Sequence, residues 1–223
     1  MSFLEITLQL LEGFLYTFLI FAITLICALP LGLAICMGSK SKIKPLALLT
    51  RGFVWVIRGT PLMLQIIFFD LGPGLLASLL GWNFAIRSTW QHLAMVCVAF
   101  TINYACYFSE IYRGGIQSVP EGQYEAASVL GITKSQTFFK VIFMQVVKRI
   151  VAPMSNEIIT LVKDTALASV VIHLDLFTVA KNIVNREVTI MPIFYAGVFY
   201  LLFNGLLTVL LGKLEKKLDY FKV

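Results

Sequence analysis

The sequence predicts an all-α protein that crosses a membrane several times, and three observations carry that expectation. Hydrophobic residues make up 59% of the 223-residue chain and charged residues only 13%, with mean hydropathy +0.87, far from a globular average. The apolar material lies in runs that reach the roughly 20 residues a helix needs to span a bilayer. The charges fall between those runs, and no polar stretch is long enough to build a soluble core.

Five spans are expected, at 13–37, 53–69, 93–112, 150–172 and 190–211, within a single domain over 1–223. The first is interrupted only by Pro30, where a kink is expected. The basic stretch S-K-S-K-I-K-P and Arg51 follow it. The second carries R-G-T-P at 58–61, with Arg58 read as snorkelling at the membrane edge. Residues 70–92 mix Gly and Pro with Trp82 and Trp90, which suits an interfacial segment. The third span ends at Glu110, Arg113 and the Gly114-Gly115 pair. The fourth is unusually polar, a connector over 173–189 follows, and a fifth span leads to a charged tail.

The charge distribution orients the chain. With Lys40 inside, thirteen Lys and Arg, from Lys40 and Lys42 through to Lys222, lie on the inner side, whereas only Arg87, Lys181 and Arg186 lie outside. The positive-inside rule therefore puts the N-terminus outside and the C-terminus inside. The net charge of +6 is explained by that bias, and nucleic acid is not an expected partner. The two acids and missing basic residues of the first twelve positions do not resemble a cleaved signal peptide. Cys27, Cys36, Cys97 and Cys106 sit inside apolar runs with no C-x-x-C or Cys/His cluster, which fits helix packing better than metal or redox chemistry.

The longest mainly polar segment is 118–136, which this topology puts on the inner side. Ser118 with Glu121, and Thr133 with Gln136, have the spacing of capping boxes, and Gly131 has the place of a left-handed C-cap. Two short, well-defined helices are expected there, a shape suited to docking. The fourth span carries Glu157, Lys163 and Asp164 at membrane depth, where a lipid-facing charge is costly. At about 100° per residue, Glu157, Thr160 and Asp164 share an arc of about 60°, and Asn156 and Lys163 widen it to about 120°. That helix is expected to line something polar, with Asp164 as the leading contact for a substrate amine. An ion pair inside the bundle, between Lys163 and Asp164 or between helices, is the competing explanation. His92 and His173 are read as structural.

No phosphate loop, nucleophile elbow or H-E-x-x-H motif is present. The chain is therefore expected to be no enzyme, with no catalytic residues, no metal ligands and no ATPase of its own.

Glu125-Ala126-Ala127 with Gly131 resembles the EAA loop of membrane subunits in bacterial ABC importers. R-G-T-P-L at 58–62, E-I-Y-R-G-G-I-Q-S-V-P at 110–120 and K-D-T-A-L-A-S at 163–169 resemble the polar amino acid permease branch of that family. The resemblance implies an importer of two permease subunits, a cytoplasmic ATPase dimer that holds the ATP and Mg²⁺, and an extracytoplasmic substrate-binding protein, assembled in the bacterial cytoplasmic membrane. It makes 118–136 the coupling loop between the third and fourth spans, with Glu125, Ala126, Ala127 and Gly131 at the ATPase. It leaves Asp164, Glu157, Thr160 and Thr165 as candidates for the substrate or the pathway wall. The family's I-x-L-P after the glycine is replaced by V-I-F-M at 141–144, so a more continuous helix is expected over 138–147. An ATP-independent carrier or channel subunit with the polar fourth helix as pore is the alternative.

Overall fold

The computed structural model describes residues 2–82, 86 and 88–218. Arg87 and Lys222, used in the charge count, lie outside the described residues. The described chain is helical, with no strand among its residues: α1 (Phe3–Ser39), α2 (Lys44–Gly59), α3 (Leu62–Leu79), α4 (Thr89–Gln117), α5 (Glu121–Val129), α6 (Lys134–Thr137), α7 (Phe143–Asp164), α8 (Leu176–Glu187) and α9 (Met191–Leu218). A π-helical turn (Phe138–Ile142) joins α6 to α7, and a 3-10 turn (Thr165–Val170) follows α7.

α4 is the axis of the bundle. Its Phe100, Tyr104 and Phe108 are fully buried at helical spacing, and α1, α3 and α7 pack around them. Two glycines allow close approach. A Cβ on Gly32 would lie 2.9 Å from the Ala105 carbonyl and from Phe108 Cβ, and one on Gly115 would lie 2.2 Å from Ile150. Cys36, Cys97 and Cys106 are buried packing residues, and Cys27 is exposed. By length and composition, α1, α3, α4 and α9 can each cross a membrane. α7 does not join them, because Lys148, Arg149, Glu157, Lys163 and Asp164 dilute its apolar surface.

Four expectations need correction. Residues 53–69 are not one helix: α2 ends at Gly59, Thr60 is extended and Pro61 opens α3. Proline disfavours helical geometry in the residue before it and has no N–H to offer. Residues 70–79 are not a loop of mixed character: they continue α3 through Pro73 to Leu79, a helix long and apolar enough to cross a membrane. Ser118 does not cap α5. It ends α4, its hydroxyl donating to the Gly115 carbonyl at 2.8 Å, and Pro120 starts α5 with no side-chain cap. The connector at 173–189 contains α8, capped by the fully buried Asp175. Its Oδ2 accepts the N–H groups of Phe177 and Thr178 at 3.1 and 3.2 Å, and its Oδ1 accepts the Thr178 hydroxyl at 2.6 Å. Burial pushes the Asp175 carboxyl above the usual carboxylate range, and these donors pull against the shift.

Other expectations are met. Thr133 and Gln136 form a reciprocal capping box. Gly131 is left-handed at φ 69°, and the bonds Gly131 N–H to Ser128 O and Ile132 N–H to Ala127 O complete a Schellman motif. The missing proline at 141–144 does leave a continuous helical path, through a π-turn into α7.

A candidate substrate cleft and a candidate docking loop

The break at Thr60–Pro61 opens a cleft of about 500 Å³ between the α2–α3 junction, α4 and α7. Thr60, Pro61 and Leu62 form its lip, Asn103, Tyr104 and Tyr107 of α4 its floor, and Glu157, Thr160 and Asp164 of α7 its far wall. Gln65 fixes the lip. Its amide donates to Ile57 O at 2.7 Å, Thr60 O at 3.1 Å and Thr60 Oγ1 at 2.8 Å, which supplies donors to carbonyls left open at the end of α2. Its own carbonyl accepts from Asn103 at 3.0 Å, tying α3 to α4.

Asp164 is reached by the Tyr104 hydroxyl, which donates to Oδ2 at 2.6 Å. Lys163 is exposed on the neighbouring face and makes no ion pair with Asp164, so the internal pair weighed from the sequence is not formed. One carboxylate oxygen of Asp164 is thus held by Tyr104 on the side of the cleft, and among the described residues no hydrogen bond engages the other. Glu157 is half-buried and Thr160 exposed, its hydroxyl donating to Asn156 O at 2.9 Å. Thr165 is not in the cleft. It is fully buried and donates to Val162 O at 2.6 Å, stabilising the turn from α7 into the 3-10 segment.

Arg58 enters this cleft as the one basic residue among its described lining residues. Its guanidinium lies 4.9 Å from the centre of the Tyr107 ring and 3.8 Å from Glu110, which Arg113 also clamps through two hydrogen bonds. A planar cation over a ring with a carboxylate beyond it is a stable arrangement for Arg. The structure adds these partners, Tyr107 and Glu110, to the membrane-edge reading of Arg58. The sequence reading also missed Asn103, Tyr104 and Tyr107. Asn103, Tyr107 and Glu110 recur at i, i+4 and i+7 within an apolar span, a polar stripe that could have revealed them.

The loop between α4 and α7 is built locally. Glu125 and Ala126 are exposed on α5, whereas Ala127 faces inward at 4% exposure. Val129 and Leu130 just before Gly131, and Phe139 after α6, are 88%, 75% and 66% exposed. The loop therefore brings the expected residues Glu125, Ala126 and Gly131 beside an apolar rim. Arg149 of α7 donates to the Ser118 carbonyl, bracing the loop against the bundle. Asp164 and its neighbours on α7 form a separate site.

Comparison with known proteins gives concordant findings. Residues 28–220 match the family described as binding-protein-dependent transport system inner membrane component. The L-cystine transport system permease protein TcyB of Bacillus subtilis is 34% identical over 212 residues, covering 94% of this chain and 86% of that protein. The arginine ABC transporter permease protein ArtM of Escherichia coli K12 is 30% identical over 169 residues, covering 76% of each chain. A crystal structure of an amino acid ABC transporter with histidines superposes with TM-score 0.84 at 29% identity, covering 97% of this chain and 99% of that one. The MetNI methionine ABC transporter, at 16% identity and TM-score 0.70, shares the fold.

Proposed function

The chain belongs to the family of inner membrane components of binding-protein-dependent transport systems, and from that premise we propose that it is the permease subunit of an ATP-driven importer for a polar amino acid. The match over residues 28–220 is the observation that carries this reading. The relatives named for L-cystine and arginine support the substrate class.

The cleft suits a zwitterion. Glu157 and Asp164 offer acceptors to an ammonium group, and Arg58 offers donors to a carboxylate across about 500 Å³ of space. Tyr104 holds Asp164 in one orientation, so the acid is in place before a substrate arrives. Five crossings, with α7 as the fourth, bring the N-terminus outside and the loop over 118–136 to the cytoplasmic side. There α5 docks on a separate ATPase through Glu125, Ala126 and the exposed Val129–Leu130 edge, and Gly131 sets the exit angle. ATP-driven closure of two such ATPases moves the loop and, through the continuous path into α7, re-aims the wall that bears Asp164. A second permease subunit and an extracytoplasmic binding protein complete the assembly, and ATP and Mg²⁺ stay on the ATPase.

Expression with a candidate ATPase and binding protein, followed by uptake of a panel of labelled amino acids in membrane vesicles, tests this reading. The expected result is ATP-dependent uptake that Asp164→Ala abolishes. Uptake that persists without any ATPase would establish the carrier or channel alternative instead.

A further inference from the structure

α3 is thinly held. One face packs on α4 and on the Thr165–Val170 turn, while Leu64, Phe68, Leu71, Leu75, Leu76 and Leu79 are exposed. Two polar side chains are buried on the packed face, Gln65 and Asp70. Gln65 is accounted for by the cleft lip. Asp70 lies outside the cleft, is 6% exposed, and occupies a membrane-spanning helix where a carboxylate without a partner is costly. Oδ1 of Asp70 lies 2.7 Å from Nδ1 of His92, near the start of α4. One hydrogen bond between carboxyl and imidazole joins the two helices there. A notch of about 270 Å³ opens beside the pair, and the His92 side chain is 32% exposed to it.

We propose that Asp70 and His92 are positioning residues: their hydrogen bond is a clasp that fixes the tilt of α3 and, through it, the position of the cleft lip. The geometry is that of a lever. Gln65 and Asp70 hold α3 against α4 at two points about 7.5 Å apart along the helix, from the 1.5 Å rise per residue. Two points define an axis, whereas one leaves a pivot. With the clasp released and Gln65 as pivot, a 2 Å outward swing at residue 70 displaces Pro61 by roughly 1.5 Å the opposite way, because the two arms are about 7.5 and 6 Å long. Gly72-Pro73-Gly74 follows the clasp directly. Pro73 cannot donate to the carbonyl of Phe69, so this turn is the weak point of α3. The clasp separates the lip-bearing half of α3 from that weak turn.

The consequence for transport rests on the cleft being the pathway, but the clasp is read by an experiment that does not need any substrate. In a background with Cys27, Cys36, Cys97 and Cys106 replaced by alanine, Leu62→Cys reports the lip and Val129→Cys reports the distant loop. Labelling by a small water-soluble thiol reagent is timed in membranes. Asp70→Leu is expected to change the rate at residue 62 at least fivefold and leave residue 129 unchanged. Asp70→Asn, whose amide still reaches His92, should keep residue 62 within twofold of the parent. A residue-62 rate within twofold in Asp70→Leu, or an equal change at residue 129, overturns the proposal. Should Asp70→Leu fail to reach the membrane, His92→Leu gives the same reading. Loss of both overturns the clasp too, because the pair would then serve the whole fold and not the tilt of one helix. Clasp behaviour without amino acid uptake would leave the clasp standing and remove only the proposed cargo.

Discussion

The cleft and the loop are built by opposite means. The loop over 118–136 takes its shape from neighbours in sequence: the Thr133–Gln136 box spans four residues and the Schellman turn around Gly131 six. The cleft draws on residues more than a hundred positions apart, with Arg58, Tyr104 and Asp164 meeting on three helices. A locally made site keeps its shape when the bundle shifts, which is what a docking element needs. A site made by convergence changes with every movement of its helices, which is what a gated pathway needs.

The largest effect that would break this contrast lies in the cleft. Asp164→Ala is expected to lower uptake by two orders of magnitude or more with the chain still folded and still co-purifying with the proposed ATPase. Tyr104→Phe leaves the Asp164 carboxylate without its donor, a loss of about 1–3 kcal/mol for a buried group. Vesicle uptake should fall by about fivefold to 150-fold, by conversion of that range. Unchanged uptake in both variants would mean the cleft is only a packing defect.

Gly115→Val comes next, because it strikes the joint between the two regions. The new side chain meets Ile150 and Val146 and must push α7 from α4. Overpacking of this kind costs about 1–3 kcal/mol, so a lower unfolding temperature in detergent is expected, with uptake reduced. Gly131→Val is a purely local change: nothing lies within 4 Å of its Cβ, and the strain is in φ alone. The left-handed conformation costs an L-residue about 1–2 kcal/mol, so ATPase co-purification should weaken while the unfolding temperature of the bundle holds. A bundle that melts early in Gly131→Val would show that the loop is not independent. The smallest effect is expected from Thr133→Ala, where losing a cap costs about 1 kcal/mol. Faster amide exchange confined to residues 133–137 is the measurement that checks it.

Much of the molecule was legible from its residues. The positions of α1, α4 and α9 follow from apolar runs, and the cap at Thr133 and the turn at Gly131 follow from residue types whose preferences act over one helical turn. Asp164, Glu157 and Thr160 were legible as one polar face because helical periodicity alone sets that arc. Thr165 fell off this face because the chain tightens into a 3-10 turn there, and the wheel of an α-helix no longer applies. The break at Thr60–Pro61 was present in the sequence as R-G-T-P, but an apolar run on both sides concealed it. Ser118 shows the limit of spacing rules: the same S-x-x-E that reads as a cap is inert when the preceding helix continues to Gln117 and proline begins the next.

Residue types and their local preferences were enough for the membrane class, the long helices, the family resemblance and the local shape of the loop. Each depends on composition or on contacts within one turn, and such contacts survive whatever the rest of the chain does. Helix packing was needed to show that Arg58 faces Glu110, that Tyr104 reaches Asp164 while Lys163 makes no ion pair with it, and that Asp70 meets His92. Those pairings depend on how helices rotate and approach, which is set by the sum of many weak packing contacts around α4 and by the space that Gly32 and Gly115 leave open.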